Sequence, residues 1–477
     1  MADAPNSDEI WKFVESKKQK YFDLSDEIWA TPELNFEEYR SSAVQPAALE
    51  VEGFDVQRGV AGLPTAIMAT AGSEGPIIAF LGEFDALPDH SQEAGIAEHA
   101  PTTQGAPGHA CGHNLLGVGS IQAAVALKDY LEKEGLPGRV RYYGCPAEEG
   151  GSGKGYMARA GLFDDVDAAI TWHPSSFVGV GNPITLSCNE INFNFVGKSS
   201  HAASSPHLGR SALDAVELMN VGVNYMREHM PSRARIHYAV TDTGGHAPNV
   251  VQARATVRYV VRGGDPVELK SLVARVMKIA EAAAMMTETS VSHRVLTGEA
   301  SMLGNETLEH ALFGQIERLG PPQFSEEDRA FAQKIQETFS TADVKAAYAN
   351  VGLKPKVDVS LADELVPPRN TTPTMVGSTD VGNVSWIVPT VEMRGATHAI
   401  GTPGHSWQIT AQGKSPAAHK GMEHAAKAMA CTGLELIQDG ELRRRVQEEH
   451  RRLLEETPFL DPIPDDAFPD LPAHRAK

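Results

Sequence analysis

One short stretch of the sequence, Gly108-His-Ala-Cys-Gly-His-Asn114, contains two imidazoles and a thiol. Cys111 and His113 are two residues apart, and both side chains are good ligands for ions such as Zn²⁺. They lie after an apolar run and an acidic turn, and they come directly before a predicted helix. A lone cysteine is more often a small buried apolar side chain, so this stretch predicts a metal site only if the chain supplies further ligands.

Further candidate ligands follow downstream. Glu149 lies in Pro-Ala-Glu-Glu-Gly-Gly, His173 in Trp-His-Pro and His405 in Gly-Thr-Pro-Gly-His-Ser. A hydrolase with two metal ions also needs a carboxylate that stays free to accept a proton, and Glu148 could have this role. The two glutamates could instead be no more than an acidic pair that stabilises a helix N-terminus, and His173 could be a loop residue. The nearby His398 or His419 could take the place of His405.

The order of the predicted elements explains how these residues could meet. Up to about residue 185, strands alternate with helices, which is typical of a mostly parallel sheet with helices on both faces. Ligands of such sheets bind beyond the carboxyl ends of the strands. Asp85, the glutamate pair and His173 each follow a predicted strand, whereas residues 111–113 precede a helix. We therefore expect these side chains to converge at one edge of the sheet.

From about residue 185 the pattern changes to alternating strands with two helices, which indicates a small α+β unit with an antiparallel sheet. We therefore divide the chain into an α/β domain in two parts, residues 1–185 and 300–477, and an inserted domain at 186–299. Residues 320–372 are polar, rich in proline and poorly patterned apart from Glu326–Thr338. We interpret them as a long surface excursion without an assigned role.

The composition narrows the classes of function. The 477 residues carry a formal net charge of −20, which disfavours binding to nucleic acid or to an anionic membrane surface. No stretch approaches the ~20 apolar residues of a membrane-spanning helix, and the first residues lack the features of a signal peptide. The four cysteines do not have the spacing of a disulfide framework. We therefore expect reduced thiols and a cytoplasmic location.

Taken together, the motifs resemble those of the aminoacylase and carboxypeptidase-G type of dinuclear metallohydrolases. The resemblance covers nearly the whole chain and is carried by Gly-His-Ala-Cys-Gly-His, Pro-Ala-Glu-Glu-Gly-Gly, Trp-His-Pro and Ser-Ser-His-Ala-Ala. A cysteine in the metal site is typical of the amidohydrolase branch of this family. Asn114 stands where many relatives of this branch have Asp, a departure that we do not interpret as a loss of activity.

The resemblance implies roles for the candidate residues of the larger domain. The implied metal ligands are Cys111, His113, Glu149, His173 and His405. Glu148 is the implied general base, and Asp85 would orient a ligand histidine.

In the inserted domain, the resemblance implies that His201 reaches the active site of a partner chain, where it stabilises an oxyanion. Asn249 and Arg262 would bind a substrate carboxylate, for which a guanidinium is well suited. A solvated loop position for His201 and a structural salt bridge for Arg262 are the alternatives, and the roles of His207 and Arg210 stay open.

The implied reaction is hydrolysis of the amide bond of N-acyl or N-aroyl amino acids, with p-aminobenzoyl-glutamate as the leading candidate. Two divalent ions, Mn²⁺ or Zn²⁺, would be the cofactors, since the ligands suit both. The inserted domain would be the lid and dimerisation domain of a homodimer, while a heterodimer with a similar chain stays open. Two other functions are compatible with these motifs: a non-catalytic subunit of such a hydrolase, and deaminase-type hydrolysis at the same site.

Overall fold

The computed structural model describes residues 7–356, 358–372 and 377–472. Before the inserted domain, the helices and strands are α1 (Ser7–Ser16), α2 (Lys18–Trp29), α3 (Ser41–Val51), β1 (Asp55–Arg58), β2 (Ile67–Ala71), β3 (Ile77–Glu83), α4 (His113–Glu134), β4 (Arg139–Cys145), α5 (Gly153–Arg159), β5 (Ala168–Ser175) and β6 (Val178–Val180). The inserted domain contains β7 (Ser187–Val196), α6 (Ala212–Met226), β8 (Arg235–Asp242), β9 (Arg254–Gly263), α7 (Pro266–Thr287) and β10 (Ser290–Glu299). After it come α8 (Glu306–Leu319), α9 (Glu326–Gln336), α10 (Thr341–Asn350), β11 (Leu365–Val366), α11 (Val381–Ser385), β12 (Thr390–Ala396), α12 (Trp407–Gln412), α13 (Pro416–Gln438) and α14 (Gly440–Glu456).

The larger sheet has eight strands in the order β1-β2-β4-β3-β5-β12-β6-β11. Its central strands β4, β3, β5 and β12 are parallel to one another. β2 runs antiparallel to both of its neighbours, and β6 runs antiparallel to β12. The predicted α/β fold class, with a mostly parallel sheet, is therefore confirmed.

Helices cover both faces of this sheet because its central strands are apolar on both sides. All residues of β3 are buried, and successive residues point to opposite faces. Phe80 lies in the core that α4 and α13 share, whereas Leu81 lies in the core that contains residues of α5 and α11. Since α4 connects two parallel strands, it runs back across the sheet and begins at the carboxyl edge.

The second sheet is antiparallel, with four strands in the order β10-β7-β9-β8. Helices α6 and α7 pack on one face of it and form a separate core. The alternating pattern in the sequence predicts β7, β9 and β10 but not β8. Most residues of β8 are exposed, so it lacks the apolar alternation by which a half-buried strand is recognised.

Two further findings differ from the sequence-based interpretation. His173 lies inside β5, which continues to Ser175, rather than beyond it. Residues 320–372 are more than a surface excursion, because they form α9, α10 and the edge strand β11, and Tyr348 of α10 is fully buried. Within the part of the chain that the structure describes, no helix has the length and apolar composition needed to span a bilayer.

Candidate metal centre

The predicted ligands lie at the carboxyl edge of the larger sheet. Asp85 follows β3, residues 148–149 follow β4, and His173 lies near the end of β5. His113 is the first residue of α4, and the preceding Gly112 has a φ of 82°. A Cβ at Gly112 would lie 3.0 Å from a proline of β5. The turn between Cys111 and His113 therefore requires glycine for its conformation and for its close approach to β5.

Two groups of three candidate ligands share Cys111. The ligand atoms of Cys111, His113 and His173 all lie within 4.8 Å of one another. The same holds for Cys111, Glu149 and His405. Cys111 Sγ is 3.4 Å from His173 Nε2, and His405 Nε2 is 3.5 Å from Glu149 Oε2. Atoms that bind one ion with bonds of about 2.0–2.3 Å have this spacing, so a thiolate at Cys111 could bridge two ions.

Buried polar atoms without hydrogen bonds point into this centre. His113 Nε2 and Glu149 Oε1 lie 3.9 Å apart, and neither makes a hydrogen bond. Such atoms are costly to bury unless a cation pairs with them. Burial and then the charge of Glu149 raise the pKa of the Cys111 thiol above its usual range, so the thiolate needs a cation nearby. This set of imidazole, carboxylate and thiolate donors fits divalent metal ions.

Asp85 holds two parts of the centre in place. Its Oδ1 is 2.9 Å from His113 Nδ1, and its Oδ2 accepts a hydrogen bond of 2.9 Å from the backbone N–H of Glu149. Burial opposes its ionisation, but the hydrogen bond and charge of His113 hold the pKa of Asp85 below its usual range. An ionised Asp85 only accepts, so His113 Nδ1 carries a proton, and the neutral ring that a metal ion requires presents the lone pair of Nε2 to the centre. His173 is oriented similarly, since its Nδ1 is 2.8 Å from the Pro174 carbonyl oxygen.

Glu148 stands apart from the two groups that share Cys111. Burial, followed by the charges of Glu83 and Glu149, raises the pKa of Glu148 well above its usual range. Ala147, just before it, has a φ of 57°, and its N–H donates to the buried Glu38 at 2.9 Å. Such strained backbone persists only where its surroundings hold it. A carboxyl group with a raised pKa beside a metal centre suits proton transfer.

His405 comes from the loop between β12 and α12. Its φ is 50° and its side chain is 56% exposed. The loop is held by His90, whose Nε2 donates to the His405 carbonyl oxygen at 2.8 Å. His398, one alternative ligand, is buried beside Thr397 and belongs to neither ligand group among the described residues.

Three buried charged residues behind the centre were not predicted. Lys154 Nζ lies 2.6 Å from Glu83 Oε1 and 2.6 Å from Asp380 Oδ1. Glu83 carried a sequence signal, because it precedes Asp85 by two residues in the same acidic turn. Lys154 and Asp380 are 226 residues apart, and no local pattern could have paired them.

The predicted residues of the inserted domain lie outside the centre. His201 pairs with Val250 in an isolated antiparallel β-bridge, and Val250 follows Asn249 directly in the chain. Both His201 and Asn249 are exposed. Arg262 lies at the opposite end of β9, where its Nη1 donates to Ser378 Oγ. The ten residues of β9 span roughly 30 Å at about 3.3 Å per residue. Within one chain, therefore, Asn249 and Arg262 lie too far apart to bind the same carboxylate.

No family model matches the chain. Among curated proteins, a subunit of the p-aminobenzoyl-glutamate hydrolase of Escherichia coli is 45% identical over 475 residues, which cover 97% of this chain and 99% of that protein. The chain belongs to the amidohydrolase family of this protein. The Xaa-Arg dipeptidase of Mus musculus is 30% identical over 92% of this chain and 90% of its own length.

Solved structures share the fold of this amidohydrolase. The aminobenzoyl-glutamate utilization protein from Klebsiella pneumoniae has a TM-score of 0.60 at 17% identity and covers 90% of this chain and all of its own. A dinuclear metal-binding peptidase of the M20 family from Bacillus subtilis has a TM-score of 0.54 at 17% identity and covers 89% of this chain and 99% of its own. The family predicted from the motifs and its hydrolysis of amide bonds are thus confirmed. Family and ligand groups together support divalent metal ions as cofactors.

Proposed function

We propose that this amidohydrolase cleaves N-acyl or N-aroyl amino acids, with p-aminobenzoyl-glutamate as the first substrate to test. The observation that carries the proposal is the position of Cys111 between two groups of metal ligands, with Glu148 beside them. The relative of 45% identity is part of the hydrolase named for this substrate. A non-catalytic subunit would have no need for both Glu148 and a full ligand set.

The chain's own groups account for the proton transfers. Divalent ions, when bound, would polarise the substrate carbonyl and lower the pKa of the attacking water. Glu148 accepts the proton of that water and donates it to the nitrogen of the leaving amine. The raised pKa of Glu148 favours retention of the proton between these two steps. Asp85 keeps His113 in the tautomer that binds a cation.

His201 has the tautomer that a donor to an oxyanion needs. Its Nδ1 accepts hydrogen bonds of 3.1 Å from the backbone N–H groups of Ala203 and Ser204. A ring nitrogen that accepts carries no proton, so the proton of the neutral ring is on Nε2. The exposed Nε2–H can therefore stabilise the negative oxygen that develops on the substrate carbonyl.

We place His201 and Asn249 in the active site of a second chain. In their own chain they lie at the far end of β9 from Arg262, which contacts the larger domain. β8 is the edge strand of this sheet, and its Tyr238 is 39% exposed. An edge strand offers unpaired backbone groups to another chain. In the proposed dimer, Arg262 binds the substrate carboxylate in its own chain, and His201 and Asn249 act across the interface.

The second chain could be another copy or a similar protein. The Escherichia coli relative is named as one of the subunits of its hydrolase. Another subunit of that hydrolase, from the same organism, is 29% identical to this chain over 57% of this chain and 67% of its own length. We propose a homodimer, with a heterodimer as the alternative. Light scattering of the chain purified alone distinguishes the two, because a homodimer has twice the chain mass of 51.2 kDa.

Hydrolysis of a substrate panel tests the proposed function. The metal-free protein is reconstituted with Mn²⁺ or with Zn²⁺ and assayed with p-aminobenzoyl-glutamate, N-acetyl amino acids and p-aminobenzamide. We expect turnover of acyl or aroyl amino acids that depends on the metal, and none of the benzamide, which lacks a carboxylate for Arg262. Absence of turnover of every amide with either metal would contradict the proposal.

A further inference from the structure

Behind the metal centre lies a buried carboxylate that the proposed mechanism does not use. Glu83 ends β3 and is 2% exposed. Its Oε1 is 2.6 Å from Lys154 Nζ, which is also 2.6 Å from Asp380 Oδ1. The buried ammonium therefore fixes one oxygen of Glu83.

The other oxygen of Glu83 faces a metal ligand. Glu83 Oε2 is 3.2 Å from His113 Nε2, yet both atoms are buried and neither makes a hydrogen bond. The proton of His113 is on Nδ1, which is 2.9 Å from Asp85 Oδ1. Once Nε2 has lost its proton, as binding of a metal ion requires, its lone pair and that of Glu83 Oε2 face each other at a short distance in a buried site, where their repulsion is weakly screened. A cation bound by both atoms removes this repulsion.

Glu148, which we propose as the proton acceptor, lies beside the pair formed by Glu83 and His113. The ligand atoms of Glu83, His113 and Glu148 all lie within 4.8 Å of one another. The separation of 3.2 Å between Glu83 Oε2 and His113 Nε2 is the spacing expected for two ligands with bonds of about 2.0–2.2 Å to one ion.

Glu83 adds a carboxylate to a centre whose other thiolate and carboxylate groups already favour divalent ions. The positive charge of Lys154 is balanced by its second partner, Asp380, which immediately precedes α11. Buried charges are tolerated when they are paired in this way or bind metals.

We propose that Glu83 is a ligand of the metal ion that His113 binds, in addition to the five ligands predicted from the sequence. Lys154 and Asp380 are positioning residues that hold its free oxygen toward the ion. The proposal rests on the metal-dependent function proposed above, and it extends that function by one ligand and its support.

Metal titration of the Glu83→Gln variant tests this assignment. Glutamine keeps the size of the side chain and an oxygen for Lys154, but its amide nitrogen has no lone pair for a metal ion. Binding of Mn²⁺ and Zn²⁺ is measured by calorimetry and by elemental analysis after dialysis. We expect two ions per wild-type chain, and for E83Q a loss of about tenfold or more in the affinity for one of them.

Thermal unfolding separates a ligand from a merely structural residue. A ligand that is lost lowers the rise in Tm on adding metal, whereas the loss of a merely structural contact lowers the metal-free Tm and leaves that rise unchanged. Glu392→Gln is the matched control, because Glu392 is a buried carboxylate that pairs with Arg394 at 2.7 Å. This variant should bind both ions as the wild type does.

The possible results are distinguishable. Two ions bound by E83Q with wild-type affinity would overturn the role of Glu83 and leave the proposed function intact. The same conclusion would follow if E83Q lowered only the metal-free Tm. A wild-type chain that binds no metal would overturn the ligand role and the proposed function together, and the substrate panel tests the latter independently.

Discussion

The two ring nitrogens of His113 have different partners, and this difference suits the residue to the proposed metal site. Nδ1 is paired with Asp85, whereas Nε2 faces Glu83 and Glu149 without a hydrogen bond. The Asp85→Asn variant should therefore bind metal more weakly, because an amide can donate as well as accept and no longer fixes the tautomer. We expect a loss of about 10–100-fold in affinity, measured by competition with a chelating dye.

An equivalent carboxylate–histidine pair outside the centre provides the control. Asp26 Oδ1 lies 2.9 Å from His419 Nε2, so Asp26→Asn makes the same chemical change away from the ligands. This variant should keep wild-type affinity. If Asp85→Asn and Asp26→Asn bind metal equally well, Asp85 does not orient His113.

Residues in short motifs could be predicted from the sequence, and residues paired over long distances could not. Spacing and local context pointed to Cys111 and His113, and both lie in the centre. Glu83 was visible as part of an acidic turn, but its function depends on Lys154 and Asp380, which approach it from two other segments. Which oxygen of a carboxylate is left free is a property of the folded structure alone.

At the scale of elements, close packing of α4 on β3 places His113 beside Glu83. Gly117 permits it, since a Cβ there would lie 2.5 Å from the Glu83 carbonyl oxygen. The Gly117→Ala variant must push α4 away from β3. We expect a loss of about 1–3 kcal/mol in the free energy of unfolding, measured with urea, together with weaker metal binding.

Gly314 is the matched control for this substitution. It lies in α8, and a Cβ there would meet nothing within 4 Å. Gly314→Ala should stabilise the protein by up to about 1 kcal/mol, because alanine is the better helix former. A Gly117→Ala variant as stable as Gly314→Ala would show that the α4–β3 contact does not hold the ligands in place.

Buried strands were predicted more accurately from the sequence than exposed elements. The stretch Arg139–Cys145 predicts a strand at the bounds observed for β4, because a valine and two tyrosines lie between the chain breakers Gly138 and Pro146. β8 was missed because most of its residues are exposed, and α10 was missed because it has no continuous apolar face. These two elements owe their conformation to tertiary pairing and packing, which local propensity does not report.

At the scale of the whole molecule, the inserted domain joins the larger one beside a buried carboxyl group, Glu299 at the end of β10. Burial and then the charge of Asp380 raise its pKa from 4.5 to about 8. The folded state therefore keeps a proton that the unfolded chain loses above about pH 4.5. The resulting stabilisation is complete below that pH and is lost as the pH rises through about 8.

Calorimetric Tm values between pH 5 and pH 8 measure this effect. The wild-type Tm should fall with rising pH more steeply than that of Glu299→Gln, whose amide stays neutral throughout. Parallel pH profiles of the two proteins would show that Glu299 does not titrate on unfolding in this range.

The direction of β9 also determines which residues each chain of the proposed dimer would contribute to the active site of the other. His201→Ala and Glu148→Ala chains should each be inactive, but a mixed dimer has one site with an intact Glu148 and an intact His201 from the other chain. Random mixing makes half of the dimers mixed, so about a quarter of wild-type activity should return. Mixed dimers isolated with two affinity tags that show no activity would contradict action across the interface.

The change of pattern near residue 185 was visible in the sequence, whereas the arrangement of the residues beyond it was not. The family resemblance implied that Asn249 and Arg262 bind the same substrate carboxylate. Only the antiparallel pairing of β7 with β9 shows that they are at opposite ends of the sheet. The cytoplasmic location stays a prediction.

The central claim is that the ligands bind metal while Glu148 remains free to transfer protons. Hydrolysis and metal content measured together on the Glu148→Gln variant test it most directly, with the best substrate of the panel. We predict two bound ions per chain, as in the wild type, and a kcat lowered about 10²–10⁴-fold. A variant that keeps wild-type kcat, or that loses activity only in proportion to lost metal, would contradict the account.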